Sequence, residues 1–209
     1  MSSPVTNNPS PFDPLHTCSR LDGLLSERIE HPERETEIDA RIRDGFEREI
    51  APLVLDMSGF SRLTQRYGII HYLAMIRRMR KVVGPQVKAH GGMVVKFEAD
   101  NAFCVFPNPD AAIDAVLAIN ADLKALNDGT PDESDVHVCV GIGWGKILLA
   151  CDDMYGNELN LAAKLGEDVA EKGEILVTDA AKNGCSKERA WESFPLTVSG
   201  VDMVAWRVR

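Results

Sequence analysis

The sequence predicts an α+β domain with a ferredoxin-like β-α-β-β-α-β core, helices on one face of a mostly antiparallel sheet, and extra C-terminal strands. Three observations point there. Short apolar runs of strand length alternate with helical-period segments in the order strand, helix, hairpin, helix, hairpin, helix, strand. The 209 residues suffice for one core and leave little room for a second. Hydrophobic residues at 44% and charged residues at 26% are ordinary for a globular chain, and no internal repeat is visible.

The N-terminus, residues 1 to about 15, carries four prolines with Ser, Thr and Asn, and reads as a disordered tail. Pro32 to Ile50 is dense in charge, with Ile38, Ile42 and Phe46 spaced four apart, which predicts a short amphipathic helix. Residues 1–50 therefore form a tail and helical extension, and 51–209 the domain itself. Pro52 to Leu55 is a buried strand, and Asp56 to Ser61 a turn into a helix. Tyr67 to about Ala89 is a long helix with apolar residues Ile69, Ile70, Leu73, Ile76 and Met79, ended by His90-Gly-Gly92. Met93–Phe97 and Ala102–Phe106 form a hairpin around Glu98-Ala-Asp-Asn101. Asp110 to Leu126 is a helix with an alanine-rich face, and Asp128 to Asp135 a polar loop. Val136–Trp144 and Lys146–Ala150 read as a second hairpin hinged near Gly145. Tyr155 to Ala170 is a helix, Glu174 to Thr178 a strand, and Phe194 to Val208 two strands around Gly200.

Composition narrows the function. A formal net charge of −9 argues against nucleic acid and anionic membranes as partners, but a phosphorylated ligand remains compatible if metal ions screen it. The five cysteines include no C-x-x-C pair, and the five histidines show no metal-ligand spacing. No apolar run approaches a membrane span, and the first residues lack the charged-then-apolar pattern of a signal peptide. A soluble cytoplasmic protein with reduced thiols is the expectation.

Two aspartates stand out. Asp56 ends a buried strand, where an ionised group is costly unless paired or bound to metal, and Asp100 lies in the tip of the next hairpin. A helix cap explains the first but not the second. Hard carboxylates without histidine suit Mg²⁺ or Mn²⁺, which share their remaining positions with phosphates. Between strand and helix, Ser58, Gly59 and Phe60 offer backbone N–H groups at a helix start, a seat for phosphate oxygens.

On these residues the chain resembles the class III adenylyl and guanylyl cyclase catalytic domain. Asp56-Met-Ser-Gly-Phe-Ser61 is similar to the family's D-[IM]-x-G-F-[ST], and Lys96-Phe-Glu-Ala-Asp100 to K-x-x-G-D. Asp153-Met-Tyr-Gly-Asn-Glu-Leu-Asn160-Leu-Ala-Ala-Lys164 is similar to D-x-x-G-x-x-[VL]-N-x-A-x-R, and Gly141-Ile-Gly-Trp-Gly145 to the strand before it. The similarity runs from about Ala51 to Asp179. It implies a cyclase core of palm-like kind and a homodimer with two interfacial sites. It implies that Asp56 and Asp100 hold two Mg²⁺ or Mn²⁺ ions per site, assisted by the Met57 carbonyl. It implies as well that Lys96 and Asp153 read the base, and that Asn160 and Lys164 act on the ribose and α-phosphate in the transition state. Adenine presents an acceptor beside a donor, which a donating lysine and an accepting aspartate complement; guanine reverses that order. ATP is the expected substrate and cyclic AMP the product. Cytosine shares adenine's edge, so CTP, and with it the pyrimidine cyclases of antiviral signalling that make cyclic CMP or UMP, is the alternative. A third reading is a nucleotide-binding module with weakened catalysis. Lys164 stands where the family has arginine, Ser199-Gly-Val201 where many members carry K-G-K, and Ala99 where glycine is usual.

Overall fold

The computed structural model describes residues 14–198 and 200–209. The expected tail thus lies almost wholly outside the described residues, and Pro14 opens a helix that the sequence pattern did not suggest. This helix, α1 (Pro14–Glu30), is followed by a short 3-10 turn and by α2 (Glu35–Phe46). Ile38, Ile42 and Phe46 of α2 are buried as their spacing predicts, against Leu21 and Leu24 of α1 and against Ala150. Arg28 bonds Asp39 at 2.6 Å across the helix pair.

Among the described residues, nine strands and five further α-helices follow. They are β1 (Glu47–Met57), α3 (Phe60–Tyr67), α4 (Ile69–Ala89), β2 (Met93–Glu98), β3 (Asn101–Phe106), α5 (Pro109–Asn127), β4 (Val138–Ile142), β5 (Gly145–Ala150), β6 (Asp153–Tyr155), α6 (Asn157–Ala163), β7 (Ile175–Thr178), α7 (Asp179–Asn183), β8 (Trp191–Val198) and β9 (Val201–Val208). The sheet order is β2-β3-β1-β4-β7-β9-β8, with only the β4–β7 pair parallel along it. Its first four strands reproduce the expected β-α-β-β-α-β core, and β8 and β9 are the two strands around Gly200.

Two expectations are corrected. The segments 136–144 and 146–150 do not pair with each other. Both pair with β1, which is long enough to take β4 along Leu53–Met57 and β5 along Glu47–Ile50. The hairpin lies one step later, between β5 and β6. Helices also cover both faces of the sheet, because side chains alternate along a strand. Leu53, Leu55 and Met57 face α4 and α5, whereas Val54 faces Leu159 and Ala162 of α6. The glycines of Gly141-Ile-Gly143 let α6 cross this closely: a Cβ at 141 would stand 1.9 Å from the Ala162 carbonyl oxygen, and one at 143 would stand 2.5 Å from that of Glu158. The helix expected over Tyr155 to Ala170 is α6 prolonged by a π-helical turn, Lys164–Val169.

Candidate active site

Asp56 sits one residue from the end of β1, and Asp100 in the two-residue tip between β2 and β3. Because β1 pairs with β3, both carboxylates come to one edge of the sheet. They are close enough to feel each other: burial first, then the charges of Asp100 and Glu167, push the Asp56 carboxyl up to about 7. The Tyr72 hydroxyl donates to Asp100 Oδ2 at 2.9 Å and lies 3.5 Å from the Met57 carbonyl oxygen. Asp56, Asp100 and the Met57 carbonyl are therefore gathered as the sequence suggested.

This donor set fits a divalent cation. Among the described residues no lysine or arginine forms an ion pair with Asp56 or Asp100. A half-buried pair of like charges with no counter-charge is relieved by a hard cation. No group of three or more His, Cys, Asp or Glu side chains forms a complete cage among those residues. An ion held here would have room for phosphate oxygens, as Mg²⁺ sites commonly do.

Lys96 and Asp153 also meet. Lys96 Nζ, on β2, is 3.1 Å from Asp153 Oδ2, at the start of β6, and it lies over the Phe103 ring. It is also 3.1 Å from Glu98 Oε2, so Glu98 is a partner of this pair although largely exposed. Burial alone would lower the lysine's pKa, but the hydrogen bonds and charges of Asp153 and Glu98 outweigh it and hold it up. Asp153 Oδ1 accepts from the Met154 N–H at 2.8 Å.

Asn160 and Lys164 stand four apart, both exposed, on α6 and its π-helical continuation. Glu158 fixes the start of this helix by accepting from the Trp144 N–H at 3.2 Å and the Thr178 hydroxyl at 2.7 Å. Lys164 pairs with Asp168 at 2.6 Å, and neither residue bonds Asp56, Asp100, Lys96 or Asp153 within the chain. Gly59, at φ 95°, caps α3 in the left-handed conformation that glycine tolerates. One expected phosphate donor is not free: the Ser58 N–H donates to the His137 carbonyl at 3.0 Å, because β1 and β4 stay paired up to the turn. The side chains of Phe60 and Ser61, and Ser199 of the last turn, lie outside the described residues.

Two residues near the carboxylates escaped sequence reasoning. Glu167 accepts from Asn101 Nδ2 at 2.8 Å, and its proton affinity is raised by burial and then by the charge of Asp168. Tyr72 is fully buried. Neither carries a local signal, since each reaches the site only through the packing of its helix.

The chain has the fold of the class III adenylate and guanylate cyclase catalytic domains. An adenylate/guanylate cyclase/hydrolase from Silicibacter pomeroyi is 27% identical, with a TM-score of 0.67 over 78% of this chain and 96% of that one. A bacterial light-regulated adenylyl cyclase matches in fold over 98% of this chain and 67% of its own, at 20% identity and a TM-score of 0.68. Sequence relatives carry the name adenylate cyclase: that of Streptomyces coelicolor is 28% identical over 73% of this chain and 36% of its own length. The chain spans between 15% and 37% of the curated relatives it matches. No protein-family model matches it. Among the described residues no helix is long and apolar enough to cross a membrane.

Proposed function

We propose that the chain is an adenylate cyclase domain that closes ATP to 3′,5′-cyclic AMP and pyrophosphate at sites shared by two copies. The observation that carries this reading is the Lys96–Asp153 contact, a donor and an acceptor side by side at 3.1 Å. An ammonium has three N–H groups, so Lys96 can hold Asp153 and Glu98 and still offer a third to adenine N1. Asp153 retains lone pairs for the exocyclic amine. Guanine would face its acceptor and donor in the opposite order and leave polar groups mispaired, which discriminates strongly.

Asp56, Asp100 and the Met57 carbonyl would hold the cations, Mg²⁺ or Mn²⁺, two per site. Bound there, they supply a lowered pKa for the ribose 3′-hydroxyl and charge compensation for the departing pyrophosphate. The 3′-oxygen bonds the α-phosphorus as the bond to the bridging oxygen of pyrophosphate breaks. N–H groups following Gly59 at the start of α3 receive phosphate oxygens. Asn160 and Lys164, exposed and making no bond to Asp56 or Asp100 of their own chain, suit the site of a second copy. There Asn160 holds the ribose, and Lys164 exchanges its exposed Asp168 partner for the α-phosphate, at small cost because surface ion pairs contribute little.

Incubating the protein with Mn²⁺ and, separately, ATP, GTP, CTP and UTP tests the reading. Cyclic AMP as the dominant product is expected. Cyclic CMP in equal or greater yield would transfer the reading to a pyrimidine cyclase, because cytosine shares adenine's edge. Nucleotide binding without product from any triphosphate would leave a regulatory module.

A further inference from the structure

Tyr72 lies within the apolar face of α4, fully buried alongside Met75, Ile76 and Met79 and the β1 residues Leu55 and Met57. A phenylalanine would fill the same space without a hydroxyl to satisfy, and a buried hydroxyl is costly unless hydrogen-bonded. The hydroxyl's partner is Asp100, whose Oδ2 it reaches at 2.9 Å. Among the described residues this is the one side-chain hydrogen bond that the Asp100 carboxylate receives. The same hydroxyl lies 3.5 Å from the Met57 carbonyl oxygen, so a single group borders both hairpin tip and strand end.

The tip needs such a tie. Ala99 takes φ 48°, a left-handed conformation unfavourable to alanine, in a turn of only two residues between β2 and β3. Two turns further along α4, Arg80 donates to the Ala99 carbonyl at 2.7 Å. One core helix therefore holds the tip twice, once by its backbone and once by its functional side chain.

We propose that Tyr72 is a positioning residue, its hydroxyl fixing Oδ2 of Asp100 so that the remaining lone pairs face the cation shared with Asp56. This rests on the metal assignment made above. Groups that orient a ligand from behind typically change metal affinity by about 10- to 100-fold when removed.

The test is a Mn²⁺ titration of the nucleotide-free protein, with free ion read by electron paramagnetic resonance, beside thermal denaturation. Tyr72→Phe is expected to weaken Mn²⁺ binding roughly tenfold at a near wild-type melting midpoint, and Asp100→Ala to remove it. Wild-type affinity in Tyr72→Phe, with loss in Asp100→Ala, overturns the positioning role alone. Mn²⁺ binding that neither Asp56→Ala nor Asp100→Ala alters, or no binding by the wild type, overturns the metal assignment and this inference with it. Should Tyr72→Phe not fold, 3-fluorotyrosine at the three tyrosines strengthens the phenol as a donor and keeps its shape. A shifted Mn²⁺ affinity is then expected, and an unchanged one overturns the proposal.

Discussion

Asp56 and Asp100 repel each other in the metal-free protein, and that repulsion separates their effects on activity and on stability. Asp56→Ala or Asp100→Ala is expected to lower cyclic nucleotide production below detection in a Mn²⁺ assay. Asp56→Ala should melt no lower than the wild type, since burial first and then the charges of Asp100 and Glu167 push its carboxyl up to about 7, whereas Asp100→Ala also strips the buried Tyr72 hydroxyl of its acceptor and should melt lower. A variant that keeps metal-dependent activity would count against the assignment. Lys164 carries a second prediction. Arginine's planar fork fixes two donors where lysine's ammonium swings, so Lys164→Arg is expected to raise turnover several-fold with little change in KM, measured by initial rates. At this scale the sequence was most legible where a charge interrupts an apolar run, as at Asp56 and Asp100, whereas Lys96 and Asp153 stood out only through the resemblance of their motifs. Glu167 and Tyr72 were not legible, because nothing beside them in the chain is unusual. The Ser58 N–H was misjudged because its partner, His137, lies 79 positions away by residue number.

The elements obeyed their periodicities in most places, and the departures have plain causes. Both hairpins flanked by apolar runs and turn residues were legible at the β2–β3 and β8–β9 positions. The pairing of 136–144 with 146–150 failed because β1 offered a longer partner to both. In α4 the apolar stripe was read from Ile69, Ile70, Leu73, Ile76 and Met79; the last two are buried as expected, the first three are exposed, and Tyr72 and Met75 take their place in the core. Periodicity gave the helix but not which of two neighbouring faces the core would take. Gly141→Ala tests the packing of α6: with the new Cβ 1.9 Å from a carbonyl oxygen, a loss of at least about 3 kcal/mol is expected in denaturant unfolding. Asp110, at the start of α5, tests the other end of the sheet. Burial would raise its pKa, but the Ser186 and Lys187 N–H groups, the Ser186 hydroxyl and Arg189 outweigh it and hold the carboxyl below the ordinary range. A folded pKa below the unfolded one means that the carboxylate's contribution is present above about pH 4 and disappears as pH falls through the folded value. Asp110→Ala should therefore cost about 3 kcal/mol at neutral pH, and the gap to the wild type should close towards pH 2.

Across the whole molecule, the proposed division of labour between two copies can be tested by mixing. Asp56→Ala and Asn160→Ala proteins, each inactive alone, are expected to regain up to about a quarter of wild-type activity when combined. Half the dimers in an equal mixture would be heterodimers, and each would carry one intact site of two. Activity that stays at zero, in a mixture shown by sedimentation to be dimeric, would place all the groups within one chain. The core topology was open to inference because its four strands each carry a strong apolar signature. The N-terminal helix pair was half-hidden: among the described side chains of α1, Leu21 and Leu24 alone are buried, too few to make a clear stripe.

The first four residues of β1 have a further consequence. They follow α2 without a loop, and β5 hangs from them by the pairs Glu47–Leu148 to Ile50–Gly145, with β6 in turn hanging from β5. The arm that carries Asp153 is thus moored to a stretch lying upstream of every recognisable motif. A fragment trimmed to the motif-bearing region, beginning at Ala51, would keep its carboxylate edge and lose the strand partner that seats Asp153 beside Lys96.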